Sequence, residues 1–87
     1  MYRNDKITYC EEIKESGVLN LARAFYLFLS PKGSEMRVAI LSGKLIENSV
    51  DTKIPVVPNE WNPMVFKEAN ITSDVLANYN VFIGTEG

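Results

Sequence analysis

The sequence predicts an α+β fold: a small single domain with a central β-hairpin, further short strands, and two or three short helices packed on the sheet. Three observations lead to this prediction. A helix-start pattern opens the chain, two apolar β-prone blocks flank a turn rich in proline and glycine, and a third apolar block closes it. The 87 residues have room for one hydrophobic core, so we expect residues 1–87 to form one domain.

The first helix is predicted over residues 9–16. Thr8 and Glu11 have the spacing of a capping box, in which the threonine caps the third helical amide and the glutamate reaches back. Gly17 supplies a C-terminal stop, because glycine adopts the left-handed conformation without a Cβ clash. On this helix we expect Cys10 to be buried, since free cysteine is among the most buried residue types.

The central hairpin is predicted at about 24–30 and 36–42. The segment between these arms contains Pro31 and Gly33, which are typical turn residues. Both arms are apolar on both faces, which indicates strands that are central in the sheet or covered on both sides. The preceding segment, 18–24, fits either a helix or a strand.

The second half of the chain predicts shorter elements. We expect a short strand at 44–47, a loop at 48–53, and at 54–58 an edge strand or extended loop, since Pro55 and Pro58 remove two backbone donors. Asn62 followed by proline has the pattern of a helix start, which predicts a helix through residue 69. A helical turn at 73–79 and a closing strand at 80–84 complete the prediction.

The composition excludes several kinds of chemistry. The chain has no histidine and one cysteine, so Ser/His/Asp and Cys/His catalytic arrangements, a structural zinc site and an intramolecular disulfide are excluded. We expect no catalytic residue, no metal site and no cofactor, although arginine, lysine, tyrosine and carboxylates leave an enzyme open. A core this small then predicts support from a protein partner or from self-association.

Charge and hydropathy also limit the partners. Nine basic and eleven acidic residues give a net charge of -2 and form no basic run, which argues against nucleic-acid binding. The longest apolar block, 24–29, is far shorter than a membrane span. The N-terminal residues have no apolar stretch typical of a signal peptide, so we expect a cytoplasmic protein that does not enter membranes.

Two glycine turns follow apolar blocks, at Gly43 and at Gly84. A turn of this kind binds phosphate when a helix N-terminus follows it. Neither turn has the spacing of a dinucleotide or P-loop motif, so we interpret both glycines as turn residues.

The candidate binding residues form one cluster and one pair. The cluster is Asn59, Glu60, Trp61 and Asn62, in a loop bracketed by prolines. Stiff loops lose little entropy on binding, and tryptophan is a common interface anchor. The alternative is that Trp61 closes the hydrophobic core, with its neighbours solvated. The pair is Arg23 and Arg37, which either reach solvent from the apolar arms or hold a carboxylate or phosphate.

From these observations we predict a small, non-enzymatic interaction or regulatory protein, such as a bacterial or phage inhibitor, that binds a protein partner through a surface patch. The alternative is a small-ligand or nucleotide-binding module, dimeric, that uses Arg23, Arg37 or the glycine turns. A structural module that only self-associates is the third hypothesis.

Overall fold

The computed structural model describes residues 7–21, 23–34 and 37–85. Within these ranges the chain forms seven strands and one short helix. In chain order they are β1 (Tyr9–Ile13), β2 (Gly17–Leu19), β3 (Tyr26–Pro31), β4 (Ala39–Leu45), β5 (Asn48–Val56), β6 (Phe66–Ile71), the helix α1 (Ser73–Asn78) and β7 (Tyr79–Thr85).

The strands form two antiparallel sheets. One has three strands in the order β1-β7-β3, and the other has four in the order β2-β6-β4-β5. A single β-bridge between Phe25 and Phe66 joins the segment before β3 to β6, and their stacked rings lie with centroids 5.8 Å apart. The two sheets therefore meet at this pair of phenylalanines.

The hydrophobic core lies between the two sheets. It takes alternate residues of each strand, because successive side chains of a strand point to opposite faces. The three-stranded sheet and the residue before it supply Phe25, Leu27, Leu29, Val81 and Ile83, and the four-stranded sheet supplies Ala39, Leu41, Ile54, Val56, Phe66, Ala69 and Ile71. The described residues of both sheets share this one core, and a single domain over residues 1–87 stays a prediction.

The predicted α+β class is wrong. The described residues contain seven strands and one six-residue helix, so the fold is mostly β with two antiparallel sheets. The prediction failed because the strands pair between residues that are far apart in the sequence. No local sequence pattern displays such pairing, and here it overrides the local helix signals.

The predicted helix at 9–16 is a strand. β1 pairs with β7 in a register that places Cys10 opposite Gly84. Glu11 does not complete a capping box; its carboxylate accepts a hydrogen bond from the Tyr9 hydroxyl at 3.0 Å. The prediction that Cys10 is buried is also wrong, because its side chain is exposed on this strand. Tertiary pairing has overridden the local helix preference.

The predicted hairpin at 24–30 and 36–42 does not form. Strands lie close to both places, as β3 and β4, but they belong to different sheets. β3 pairs with β7, and β4 pairs with β5 and β6. A turn with Pro31 and Gly33 fits a hairpin and a crossing between sheets equally well, so local sequence does not separate the two.

Two further predictions in the second half are wrong. Residues 48–53, expected to be a loop, form most of β5; they are polar because this part of the strand is exposed on both faces. The helix expected after Asn62 is replaced by the strand β6. The Asn62 side chain bonds to the loop that contains it and does not cap a helix.

Other predicted elements are confirmed. The helical turn at 73–79 is α1, whose first turn is capped by Thr72 Oγ1 accepting from the Val75 N–H at 3.2 Å. The closing strand at 80–84 is β7, the central strand of its sheet. The segment with Pro55 belongs to β5, which is an edge strand, as the missing proline donor requires.

Candidate functional site

The loop that carries the predicted binding cluster is held against β3 by a buried amide. Asn62 is 1% exposed, and its side-chain oxygen accepts from the Val57 N–H at 2.9 Å. Its side-chain amide donates to the carbonyl oxygens of Val57, Glu60 and Leu27 at 3.0, 3.2 and 3.4 Å. These bonds occupy the side chain of Asn62, which therefore shapes the loop and does not face a partner.

Asn59 and Glu60 form the turn of the same loop. Asn59 is exposed and has a φ of 65°, a left-handed conformation that asparagine tolerates better than most residues. Its backbone N–H donates to the carbonyl of Leu29 at 2.8 Å. Glu60 is half-buried. The loop thus follows the outer edge of β3 and uses that strand's carbonyl groups.

Trp61 covers the outer face of the three-stranded sheet. Its ring centroid lies 5.3 Å from that of Phe28, which in turn lies 6.2 Å from that of Phe82. The indole also lies over Gly84, where an added Cβ would be 2.9 Å from two ring atoms. Trp61 is half-buried in this second apolar cluster, which is separate from the core that the alternative prediction has it close. Its role as a binding contact stays a prediction.

Arg23 and Arg37 lie at opposite ends of β3. Arg23 precedes the strand and Arg37 follows the turn after it, and both are exposed. The Arg37 carbonyl oxygen accepts from the hydroxyl of Tyr79, which pairs with Pro31 at the end of β3. The backbones at the two arginines therefore lie toward opposite ends of a strand that spans about 20 Å at the usual rise per residue.

The four-stranded sheet carries an exposed apolar surface on its outer side. Ile40 pairs with Pro55 across β4 and β5, and Val38 and Val57 flank this pair at the ends of the same strands. Val38 is 49% exposed, Ile40 57% and Val57 41%, and Pro55 is also exposed. We call these four residues the apolar face. Contiguous exposed apolar residues on a sheet mark interaction sites more often than scattered ones do.

Charged residues border the apolar face on one side. After Ile40 and Pro55, the next cross-strand pair whose side chains lie on this side of the sheet is Ser42 with Lys53. Beyond it, Lys44 Nζ lies 3.8 Å from Glu68 Oε2, and Glu68 also accepts a hydrogen bond from the Asn20 side chain at 3.2 Å. The outer side of this sheet is therefore apolar at one end. At the other end Lys44 and Glu68 contact each other, and Lys53 lies between the two ends.

A groove of about 570 Å³ adjoins the apolar face on the other side. Its lining includes Val38 and Ile40 of the apolar face together with Asp74 and Tyr79. The Tyr79 hydroxyl donates to the Arg37 carbonyl oxygen at 2.8 Å, which ties the segment before β4 to β7. Arg37 also lines this groove, so this predicted binding residue lies close to Val38 and Ile40 of the apolar face.

The sequence contains a signal for the apolar face. Residues 38–41 are all apolar, so they predict a strand with two apolar faces. The pattern predicts a strand that is central in the sheet or covered on both sides, and β4 is central in its sheet. In the structure Ala39 and Leu41 are buried and Val38 and Ile40 are not, so the second apolar face is the exposed one.

Comparison with known proteins finds no matching family model, no matching curated protein and no matching solved structure.

The described residues contain no group of three or more cysteines and carboxylates placed to hold a metal ion. The buried residues among them that carry a polar side-chain group include Asn62, Thr85 and Tyr26, and of these three only the tyrosine is ionisable. In the same part of the chain, no helix has the length and hydropathy needed to cross a membrane.

Proposed function

We propose that this chain is a non-enzymatic protein-interaction domain that binds a partner protein through the apolar face. The observation that supports the proposal is the exposed pair of Ile40 and Pro55 with Val38 and Val57 at its ends. Burying such side chains on association removes apolar surface from water, at about 25 cal/mol per Å². The contact surface that we propose lies on the four-stranded sheet and replaces the loop of Trp61 that the sequence suggested.

The partner that fits this surface has an apolar patch bordered by an acidic side chain. Lys53 lies beside the apolar face, next to the pair of Ile40 and Pro55, and supplies the complementary charge. Complementary charges at a rim mainly raise the association rate and fix the orientation. The partner covers the face and not the edge of β5, because Pro55 has no N–H to offer an added strand.

The test compares two lysine substitutions at exposed apolar positions of the same sheet. Ile40→Lys places a charge in the apolar face, whereas Val18→Lys places one on β2, at the opposite edge of the sheet. Both positions are exposed, so each variant should keep its free energy of unfolding within about 0.5 kcal/mol. We expect Ile40→Lys to weaken capture of a protein from the producing cells by at least about tenfold, and Val18→Lys to leave it unchanged.

Two results bear directly on the proposal. Equal capture by both variants would remove the apolar face from binding. Association of the chain with itself, seen by sedimentation equilibrium and lost only in Ile40→Lys, would make a second copy the partner of this face. A Lys53→Glu variant adds the charge test, because reversing the border charge should slow association with an acidic partner.

A second candidate function is binding of a small anionic ligand in the groove beside the apolar face. Its volume, about 570 Å³, falls within the range of small-molecule sites, and Arg37 lies in its lining. A thermal-shift screen against nucleotides and dicarboxylates tests this candidate. We expect a rise in melting temperature that is lost in Arg37→Gln; no shift with any compound would reject it.

A further inference from the structure

Among the described residues the two sheets have four outer edges, and three of them carry a feature that limits strand addition over at least part of their length. The β5 edge contains Pro55 near its C-terminal end, which offers no donor to an added strand there, although its exposed residues 48–53 contain no proline. The β3 edge is covered by the loop of residues 57–62, through bonds from the Asn59 and Asn62 N–H groups to the Leu29 and Leu27 carbonyls at 2.8 and 3.3 Å. The β2 edge has three residues, too few to align a partner strand.

The fourth edge, that of β1, differs from the other three. β1 is five residues long, contains no proline, and pairs on one side with β7. On its other side no strand lies among the described residues. Four of its five side chains are exposed, and only Ile13 is partly buried against the core. An edge of this length presents alternate N–H and C=O groups to an added strand.

The charges of β1 oppose pairing with a second copy of itself. An antiparallel pair centred on Glu11 or on Glu12 places the same glutamate of both copies face to face. A pair centred between these residues places Glu11 opposite Glu12. Like charges directly opposite each other destabilise a pair of strands, so the occupant of this edge is a different segment.

A hollow of about 320 Å³ lies next to this strand and shares its charge. Its charged lining consists of three glutamates and one lysine: Glu11, Glu12, Glu15 and Lys14. The Glu11 carboxylate also accepts a hydrogen bond from Tyr9, and this bond raises the pKa of the Tyr9 phenol. The edge therefore combines open backbone groups, negative charge, and space for long side chains.

We propose that the β1 edge binds an extended basic segment of a partner protein, which adds to the three-stranded sheet as a fourth, antiparallel strand. Glu11 and Glu12 point to opposite faces of the sheet, so two consecutive arginines or lysines in the segment meet them one on each face. Backbone hydrogen bonds supply the affinity, and the two charge pairs select the sequence. This edge and the apolar face belong to different sheets, so neither proposal depends on the other.

The test uses two capped hexapeptides and the ¹⁵N-labelled chain. One peptide is Thr-Val-Arg-Arg-Val-Thr, and the other has two glutamates in place of the arginines. With the arginine peptide at millimolar concentration we expect saturable NMR shifts in β1 and slower hydrogen exchange at alternate β1 amides. The glutamate peptide should not bind, and added salt should weaken binding of the arginine peptide.

A double variant then tests the charges. Glu11→Lys with Glu12→Lys should weaken binding of the arginine peptide by about tenfold, because two attractive pairs become repulsive. The same variant should gain binding of the glutamate peptide, which loss of folding would not produce. Glu47→Lys is the matched control, since Glu47 is exposed in the turn between β4 and β5.

Several outcomes would overturn the inference. These are no saturable shift with the arginine peptide, equal binding of both peptides, or shifts centred on the apolar face. The first of these would mean that the glutamates only protect the edge from aggregation.

Discussion

At the residue scale, Asn62 connects the loop of residues 57–62 to the three-stranded sheet. Its buried side chain bonds to Val57, Glu60 and Leu27. The sequence predicts a binding contact at this position because Asn62 lies beside Trp61 in a loop bracketed by prolines, and stiff loops lose little entropy on binding. Burial could not be foreseen, since it depends on a strand 35 positions earlier in the chain.

Replacing Asn62 should therefore cost stability. Asn62→Ala leaves the Val57 N–H without its bond and opens a gap beside β3, so we expect the free energy of unfolding to fall by about 2 to 3 kcal/mol. Asn48→Ala is the matched control, because the exposed Asn48 side chain also accepts from a backbone N–H, that of Val50, at 3.3 Å. Urea denaturation measures both; an equal, small effect of the two variants would contradict the structural role of Asn62.

Trp61 and Gly84 form the second residue-scale feature. The indole and the Ile7 side chain together occupy the space where a Cβ of residue 84 would lie, 2.9 Å from two ring atoms and 2.8 Å from Ile7 Cγ2. The glycine is required here because β7 passes directly beneath the ring, and not because of a turn, as the sequence had suggested. Its neighbour in the next strand, Cys10, lies on the same outer side of the sheet.

A double-mutant cycle tests this contact. We expect Trp61→Ala to lower the free energy of unfolding by about 2 kcal/mol, and Gly84→Ala to lower it by about 1 to 3 kcal/mol. The double variant should cost at least about 1 kcal/mol less than the sum of the two. Gly33→Ala is the control, because a Cβ there meets nothing within 4 Å. Strict additivity of the two substitutions would show that the indole does not cover residue 84.

At the scale of elements, the predictions that held depended on local chemistry. The helical turn of α1 and the edge position of Pro55 follow from hydrogen-bond donors and acceptors within a few residues. The predictions that failed concerned pairing: β1 pairs with β7 across most of the chain, and β3 and β4 separate into different sheets. The exposed side of the apolar face was missed for the same reason, because alternation does not say which apolar side is covered.

The edge of β5 gives a prediction at this scale. Pro55→Thr restores an N–H at the outer edge of an exposed strand, so we expect concentration-dependent association through this edge. Val57→Thr is the control, because it also reduces apolar surface near the same end of β5 but adds no backbone N–H. Light scattering across a concentration series should show association of Pro55→Thr alone. Identical scattering of the two variants would mean that proline does not protect this edge.

At the scale of the whole molecule, the outer sides of the two sheets differ in what covers them. The outer side of the three-stranded sheet is covered by Trp61 and its aromatic neighbours, whereas one end of the outer side of the four-stranded sheet is apolar and exposed. With one cysteine the chain has no intramolecular disulfide, and so small a core predicts support from a partner or from self-association. Binding through the apolar face is the central claim that follows.

Position-specific photo-crosslinking tests that claim most directly. A photoreactive benzoylphenylalanine is placed at Ile40, or at Val18 on the opposite edge of the same sheet, and the chain is irradiated in the cells that produce it. The two positions are similarly exposed, at 57% and 61%. We predict one dominant crosslinked species from position 40 that is missing from position 18. No crosslink at position 40, or the same products from both positions, would contradict the claim.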